Sequence, residues 1–490
     1  MDQLERLERL LDDRQPRSRP WTEPGPVLAL LTSLAAAPGH EAAGRAALAA
    51  LARRPGAVIR LDAAARREDW YRSASPASWT PPSSPLGLAL ACTHGNGRIR
   101  ERAVREILAN PLPELVPFLV VRTGDWVREV RDRARAGLAV LLHEDPARFL
   151  PPAAAVGLRI ERWLRGTFVR NQLLATATDP RAPLESLLAS PDRQVRVFAF
   201  NAGTWRLDRK VSVALTASDV RLRSTAAEAA ARDCVWTGRV EVLRRLASSP
   251  HAEVRVQALT GLVRLGRDAE VVPYLDDRSS LVRALARAAA SREGVDVPAY
   301  YRSRVTPGAL DGFAEAGAGA GAGGDGGHLI ALLSHPSATI RARALRALRV
   351  LERVPEDRVL SMLRDPASPV VREATAAVRS VPEALPWELL ADERPAVRLA
   401  GYRLARRLGP VAELRAALTV VGDGHVRLAR RGRADATRIA RSLESVPWRR
   451  RTVAPLEVVA ADAPGLRALL ARAAAELDEH TSYLLAKHLA

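Results

Sequence analysis

The sequence predicts an all-α fold, an α-solenoid of about ten to twelve stacked antiparallel helix pairs. Three observations carry that prediction. A short helical motif recurs along the chain, the turns between helices share a chemistry, and the core is rich in small aliphatic residues but poor in rings. Apolar residues make up 47% of the 490 residues and aromatic residues only 4%. A core of Ala, Leu and Val suits closely packed helices better than a sandwich of sheets.

The motif is an aliphatic residue, then Arg, two variable residues and a small residue. It reads Ile99-Arg100 with Ala103, Val130-Arg131 with Ala134, and Val195-Arg196 with Ala199. It continues as Leu222-Arg223 with Ala226, Val254-Arg255 with Ala258, and Val282-Arg283 with Ala286. The later copies are Ile340-Arg341 with Ala344, Val371-Arg372 with Thr375, Val397-Arg398 with Gly401, and Val426-Arg427. Successive arginines are 31, 65, 27, 32, 28, 58, 31, 26 and 29 residues apart. The two long gaps are near twice the others, so one degenerate copy in each restores a period of about 30 residues. The aliphatic and small residues lie four apart, on one helix face, where the small residue lets another backbone approach. Turn-forming residues precede the motif, as in Ser190-Pro191-Asp192, Ser249-Pro250-His251, His335-Pro336-Ser337 and Asp365-Pro366-Ala367. They end one helix and cap the next. A Leu-rich stretch comes before each turn, for example residues 184–188 and 329–333. The unit is therefore helix A, turn, helix B. One pair cannot bury its own apolar face, so pairs must stack.

In chain order, residues 1–90 lack the motif and read as N-terminal capping helices with a Ser/Pro-rich loop from Ser73 to Pro85. A first repeat array occupies 91–315, an Ala/Gly-rich stretch at 316–327 reads as a flexible linker, and a second array occupies 328–450. Residues 451–490 read as C-terminal capping helices.

Spacing and motif over residues 94–436 resemble the short HEAT-like repeats also found in phycobilisome-lyase-type proteins; Gly124-Asp125-Trp126-Val127-Arg128-Glu129-Val130-Arg131 is the cleanest copy. The resemblance implies an armadillo-like α-solenoid. It also implies an Asp six residues before the Arg, the two side chains bridging adjacent turns. Asp125 with Arg131, Asp277 with Arg283 and Asp392 with Arg398 keep that spacing. Ser190, Ser249 and His335 stand where other copies would have the Asp, which implies a weaker ladder there. A resemblance of this kind speaks for fold and hardly at all for function.

The formal charge is +19, from 74 basic and 55 acidic residues, and nearly all of the positive charge is Arg. Such a surface speeds encounters with polyanions, although Arg also rises together with Ala, Gly and Pro in GC-rich genes. The charge is denser toward the C-terminus: residues 328–490 carry 27 basic and 18 acidic residues, against 47 and 37 in the first 327. On a helix from Val426 to Leu443, Arg427, Arg430, Arg431, Arg438 and Arg441 fall within an arc of about 100°. Apolar Leu428, Ala436, Ile439 and Leu443 fall opposite, and Trp448-Arg449-Arg450-Arg451 follow. That face is the candidate site for anion or nucleic-acid binding, with Trp448 as a stacking surface. The alternative is a solvated outer face.

Other candidate chemistry is weak. Cys92 and Cys234 are the only cysteines, so neither a disulfide framework nor a thiolate metal site is expected. Cys92 with His94 has no orienting partner, and His480 with His488 has no third ligand. Gly319, Gly321 and Gly324 match a dinucleotide fingerprint in spacing but lack the strand before it. No catalytic site, metal or cofactor is expected. No apolar run reaches the ~18 residues of a membrane span, and the N-terminus lacks a signal-peptide pattern, so a cytoplasmic location is expected. Two functional readings follow. The first is a non-enzymatic scaffold binding a protein or other anionic partner on an extended concave surface. The second is a nucleic-acid-binding protein or a DNA glycosylase of the HEAT-like kind, for which Asp125 beside Trp126 and Asp233 beside Trp236 are the local pairs to test. The repeat type alone also suggests a bilin lyase.

Overall fold

The computed structural model describes residues 3–11, 25–36, 41–65, 82, 84–162, 165–320, 326–443 and 462–489. Every regular element among them is helical. The chain divides into two compact units, Met1–Thr237 and Gly238–Ala490.

The first unit opens with the helices Gln3–Leu11, Gly25–Ala36, Glu41–Ala52 and Pro55–Ala65. Five A–B pairs follow: Pro85–Ala91 with Gly97–Ala109, Val116–Arg122 with Arg128–Glu144, Pro146–Ile160 with Thr167–Ala177, Leu184–Leu188 with Arg193–Ala202, and Leu207–Thr216 with Val220–Thr237. In each pair the two helices pack together, and each B helix packs on the next B helix. The second unit has eight such pairs among its described residues, from Val240–Ala247 with Ala252–Arg264 to Ala463–Ala473 with Glu479–Leu489.

The motif explains this packing residue by residue. Ile99, Ala103, Val130, Ala134, Val254, Ala258, Val282 and Ala286 are fully buried. Burying each aliphatic side chain contributes roughly 1.5–3 kcal/mol, and the small residue sets how near the neighbouring helix can come. Gly401 shows the limit. A Cβ there would stand 2.6 Å from the Pro386 carbonyl oxygen of the paired A helix. Gly432 is the same case in the next repeat, 2.8 Å from the Ala417 carbonyl oxygen. Its glycine does not interrupt the helix, which runs unbroken from Val426 to Leu443.

The motif arginines have a structural task, and it differs in one respect from the ladder that the resemblance implies. Eight of them, Arg100, Arg131, Arg196, Arg223, Arg255, Arg283, Arg341 and Arg398, donate from Nη1 to the backbone carbonyl six residues earlier. Arg131 therefore meets Asp125 through its main chain, not its carboxylate. Four of the five turn carboxylates reach back to the preceding repeat, while Asp392 instead pairs with Arg394 two residues on. Asp125 accepts from Arg100, Asp277 from Arg255, Asp365 from Arg341 and Asp423 from Arg398. The same turn side chain also accepts the N–H two residues on. Asp125, Asp277, Asp365, Asp392 and Asp423 do so through carboxylate oxygens, His94 and His335 through Nδ1, and Ser190 and Ser249 through Oγ. Any acceptor at this position closes the turn, which is why Ser and His can replace Asp. Asp adds the tie to the repeat before where that repeat supplies the arginine; Asp392 lacks one, because Val371 stands there.

This register locates the copies missing from the two long gaps. In the first, Thr167–Ala177 carries Val169-Arg170 with Leu173 at the small position, both apolar residues buried. In the second, Pro307–Ala320 carries Leu310 and Ala314 with Asp311 in place of Arg, and Asp311 pairs with Arg343 of the next B helix at 2.6 Å. Two sequence assignments shift. Counting six from Asp423 falls on Ala429, and Leu428 is buried while Val426 is 73% exposed, so the last copy is Leu428-Ala429 with Gly432. Arg427 is thus not a ladder residue. Likewise, counting six from Asp365 falls on Val371, so Val370 and Ala374, both fully buried, take the aliphatic and small positions, and Arg372 is exposed.

The Ala/Gly-rich stretch 316–327 lies inside the second unit. Its residues 316–320 continue the helix Pro307–Ala320, residues 321–325 are outside the described residues, and the B helices on either side pack on each other. Most of the Ser/Pro-rich segment at 73–85 is also outside the described residues, as are 444–461.

Candidate functional site

The arginine face sits on the helix Val426–Leu443. Its inner side packs into two apolar clusters. Leu428 and Ala436 meet Tyr402, Ala405, Ala416 and Val420, while Ile439 and Ala440 meet Leu414, Leu418, Leu466 and Leu485. Burial of that stripe fixes the rotation of the helix and turns Arg427, Arg430, Arg431, Arg438 and Arg441 outward, where all five are exposed.

They form two groups. Arg431 donates to the Asp435 carboxylate at 3.1 Å, and Arg438 to Glu413 at 2.7 Å and Asp435 at 3.4 Å. Arg406 donates to Glu413 at 2.7 Å, and the Tyr402 hydroxyl to Asp435 at 2.6 Å. Burial pushes the Asp435 carboxyl up, but the Tyr402 hydrogen bond and the charges of Arg406 and Arg431 outweigh it and hold the group below its ordinary value. Asp435 is thus a fixed anion that anchors one edge of the face. Arg427, Arg430 and Arg441, in contrast, make no ion pair or side-chain hydrogen bond among the described residues. Trp448, Arg449, Arg450 and Arg451, the expected continuation of this face, lie outside the described residues.

The local Asp–Trp pairs are spoken for. Asp125 is 1% exposed and accepts from Arg100 at 2.9 and 2.8 Å, from Arg122 at 2.9 Å and from the Val127 amide at 2.9 Å. Arg122 also pairs with Asp62, so two buried guanidinium groups face two buried carboxylates. Burial raises the Asp125 carboxyl, yet the Arg100 hydrogen bonds and the Arg122 charge bring it below its usual range. A carboxylate held in this way cannot serve as a proton donor or approach a substrate. Trp126 is 62% exposed, with the Arg100 guanidinium 5.6 Å from its ring centre. Asp233 takes the Lys210 ammonium at 2.6 Å, and Trp236 is 85% exposed.

Cys92 is fully buried, and burial pushes its thiol up to about 12, so it is no nucleophile. His94 accepts the Asn96 amide at its own turn; burial, then the Arg100 charge, lower its pKa. Among the described residues no group of His, Cys, Asp and Glu is placed to hold a metal ion, and no helix is long and apolar enough to cross a membrane.

Sequence reading missed a second basic surface, in the first unit. A groove of ≈ 430 Å³ opens beside the B helices Thr167–Ala177, Arg193–Ala202 and Val220–Thr237, with Arg162, Arg170, Arg193 and Arg221 around it. These arginines are far apart in sequence and three of them fall outside the motif, so only packing brings them together. The signal available was Val169-Arg170, the degenerate copy.

No family model matches the chain, and no curated protein matches it. Solved structures similar to it include two engineered proteins of the Northeast Structural Genomics Consortium. One is 16% identical over 88% of this chain and 97% of its own, with a TM-score of 0.16. The other is 18% identical over 47% and 95%, with a TM-score of 0.14. Scores this low carry no statement about fold or function.

Proposed function

We propose that this protein is a non-enzymatic binding scaffold, an α-solenoid of HEAT-like helix pairs whose exposed arginines take an anionic partner. The period of about 30 residues and, within each unit, B helices that pack on their neighbours support the solenoid. A row of this kind offers a continuous surface that no single pair has. The observation that carries the binding reading is the division among the arginines. The ladder arginines are consumed by carbonyls and carboxylates, whereas Arg427, Arg430 and Arg441 share one outward face with no described acid to neutralise them. Unpaired charge held on a rigid helix is suited to phosphate or carboxylate groups. The engagement of Asp125 and Asp233 leaves the glycosylase reading without a catalytic carboxylate among its candidates.

The test is a pull-down from native lysate, with and without nuclease, comparing wild type with a triple variant in which Arg427, Arg430 and Arg441 become Glu. A nuclease-resistant protein partner, lost in the variant, supports an anionic protein ligand. Nucleic acid lost in the variant moves the reading to nucleic-acid binding. Partners captured equally by both forms overturn the role of this face.

A further inference from the structure

We infer that the groove in the first unit binds an acidic peptide segment with apolar side chains, supplied by a partner protein. It is a different surface from the face on Val426–Leu443 and does not depend on it.

Each part of the groove states a requirement. Its rim is cationic: Arg170 and Arg221 are exposed and, like Arg162, make no ion pair or side-chain hydrogen bond among the described residues. Arg193 is tied to Asp219 at 2.7 Å, and Glu161 is the one carboxylate among the described lining residues. The balance of the rim is positive, so the occupant must be anionic. The floor is aliphatic. Leu173 and Phe198 are buried at its base, Val197 is half-buried, and Leu174 stands 44% exposed at the edge. Leu174 gives the groove an apolar edge that an apolar side chain of the occupant would cover.

The same floor argues against nucleic acid. Binding a single strand relies on aromatic faces for the bases, and among the described lining residues the one ring, Phe198, is 8% exposed. What remains is hydrogen-bonding capacity suited to a polypeptide. Gln194 and Asn201 stand seven residues apart on the helix Arg193–Ala202, both exposed and, among the described residues, neither engaged through its side-chain amide. Each offers a donor and an acceptor to a main chain lying along the groove. Carboxylates to the rim, one or two apolar residues to the floor and backbone to the amides together define an acidic, apolar-anchored segment.

The experiment selects from a random dodecapeptide phage library on the full-length protein, then measures recovered peptides by fluorescence anisotropy. The proteins are wild type, R170E/R221E, L174A, and the triple Glu variant of Arg427, Arg430 and Arg441. Circular dichroism confirms that each is folded. Recovered peptides are expected to be enriched in Asp and Glu with at least one large apolar residue. Their affinity is expected to fall at least about tenfold in R170E/R221E, equivalent to about 1.4 kcal/mol. A smaller loss is expected in L174A and no change beyond twofold in the triple variant. Binding should weaken as salt is raised. Recovery of no peptide, peptides without acidic excess, or equal affinity for R170E/R221E would each overturn the proposal. So would a dT20 oligonucleotide that binds wild type and is lost in R170E/R221E. Loss in the triple variant instead would shift peptide binding to the other face.

Discussion

Replacing Asp125 by Ala should cost more stability than any other single carboxylate removal in the ladder. Asp125 accepts four hydrogen bonds, from Arg100 twice, Arg122 and the Val127 amide, with donor distances of 2.8–2.9 Å. The Arg100 and Arg122 side chains are each 1% exposed. After the substitution Arg122 keeps Asp62, and Arg100 keeps only the carbonyls of His94 and Gly95. One positive charge is then left uncompensated in a buried site, which costs roughly 3–5 kcal/mol. At about 2–4 °C per kcal/mol for a unit of this size, the thermal midpoint of the first unit should drop by about 10 °C. The assay is thermal and urea denaturation followed by circular dichroism, run beside two controls. Asp365→Ala removes a partner of Arg341 where both side chains are 10–14% exposed, and should cost about 1–2 kcal/mol. Asp132→Ala removes a surface pair at 53% carboxylate exposure and should change stability by less than about 0.5 kcal/mol. If Asp125→Ala costs no more than Asp132→Ala, the buried network does not hold the first repeats together.

Acid should weaken the fold in two stages. His94 has a lowered pKa in the folded state, chiefly from burial, so its contribution is complete above the ordinary histidine value and fades as pH falls below it. The carboxyls of Asp125, Asp423 and Asp435 are also held low, so their contribution is present above the ordinary carboxylate range and is lost as pH falls through the folded values. Urea midpoints should therefore decline modestly from pH 7 to 5 and steeply below about pH 4; a rise on acidification would contradict both signs. Gly432→Ala should destabilise by about 1–3 kcal/mol through overpacking against the Ala417 carbonyl, although Ala is the better helix former by about 1 kcal/mol. A gain in stability would show that the two helices can part. Native protein should leave Cys92 unlabelled by a thiol reagent at pH 8 until denaturant is added, because its thiol stays protonated and buried; rapid labelling would refute that burial.

The period, the A–B pairing and the buried face were legible because one residue pattern repeats wherever two helices must meet. The partner of each carboxylate was not. Six residues separate Asp125 from Arg131, but the tertiary stack brings Arg100, 25 residues earlier, to the carboxylate and leaves Arg131 the carbonyl. The slip at Val426-Arg427 has a similar cause. An aliphatic–Arg doublet occurs there by chance in an Arg-rich stretch, and only burial of Leu428 reveals the true register. Helical geometry places the five arginines on one side of Val426–Leu443, and all five are exposed. It could not show that Glu413, on another helix, neutralises Arg438 while Arg427, Arg430 and Arg441 stay unpaired. The groove around Arg170 and Arg221 was invisible for the same reason, since its parts lie on different helices.

In the proposed function the arginines divide into a structural set and a binding set. The measurement that tests it most directly compares Arg341→Gln with a variant in which Arg427, Arg430 and Arg441 become Gln, recording urea midpoint and retention on immobilised heparin for each. The expected result is a double separation. The first variant loses about 1–3 kcal/mol of stability and elutes close to wild type, while the second keeps its stability and elutes at clearly lower salt. Retention unchanged in the triple variant, or a stability loss there as large as in Arg341→Gln, would contradict the division.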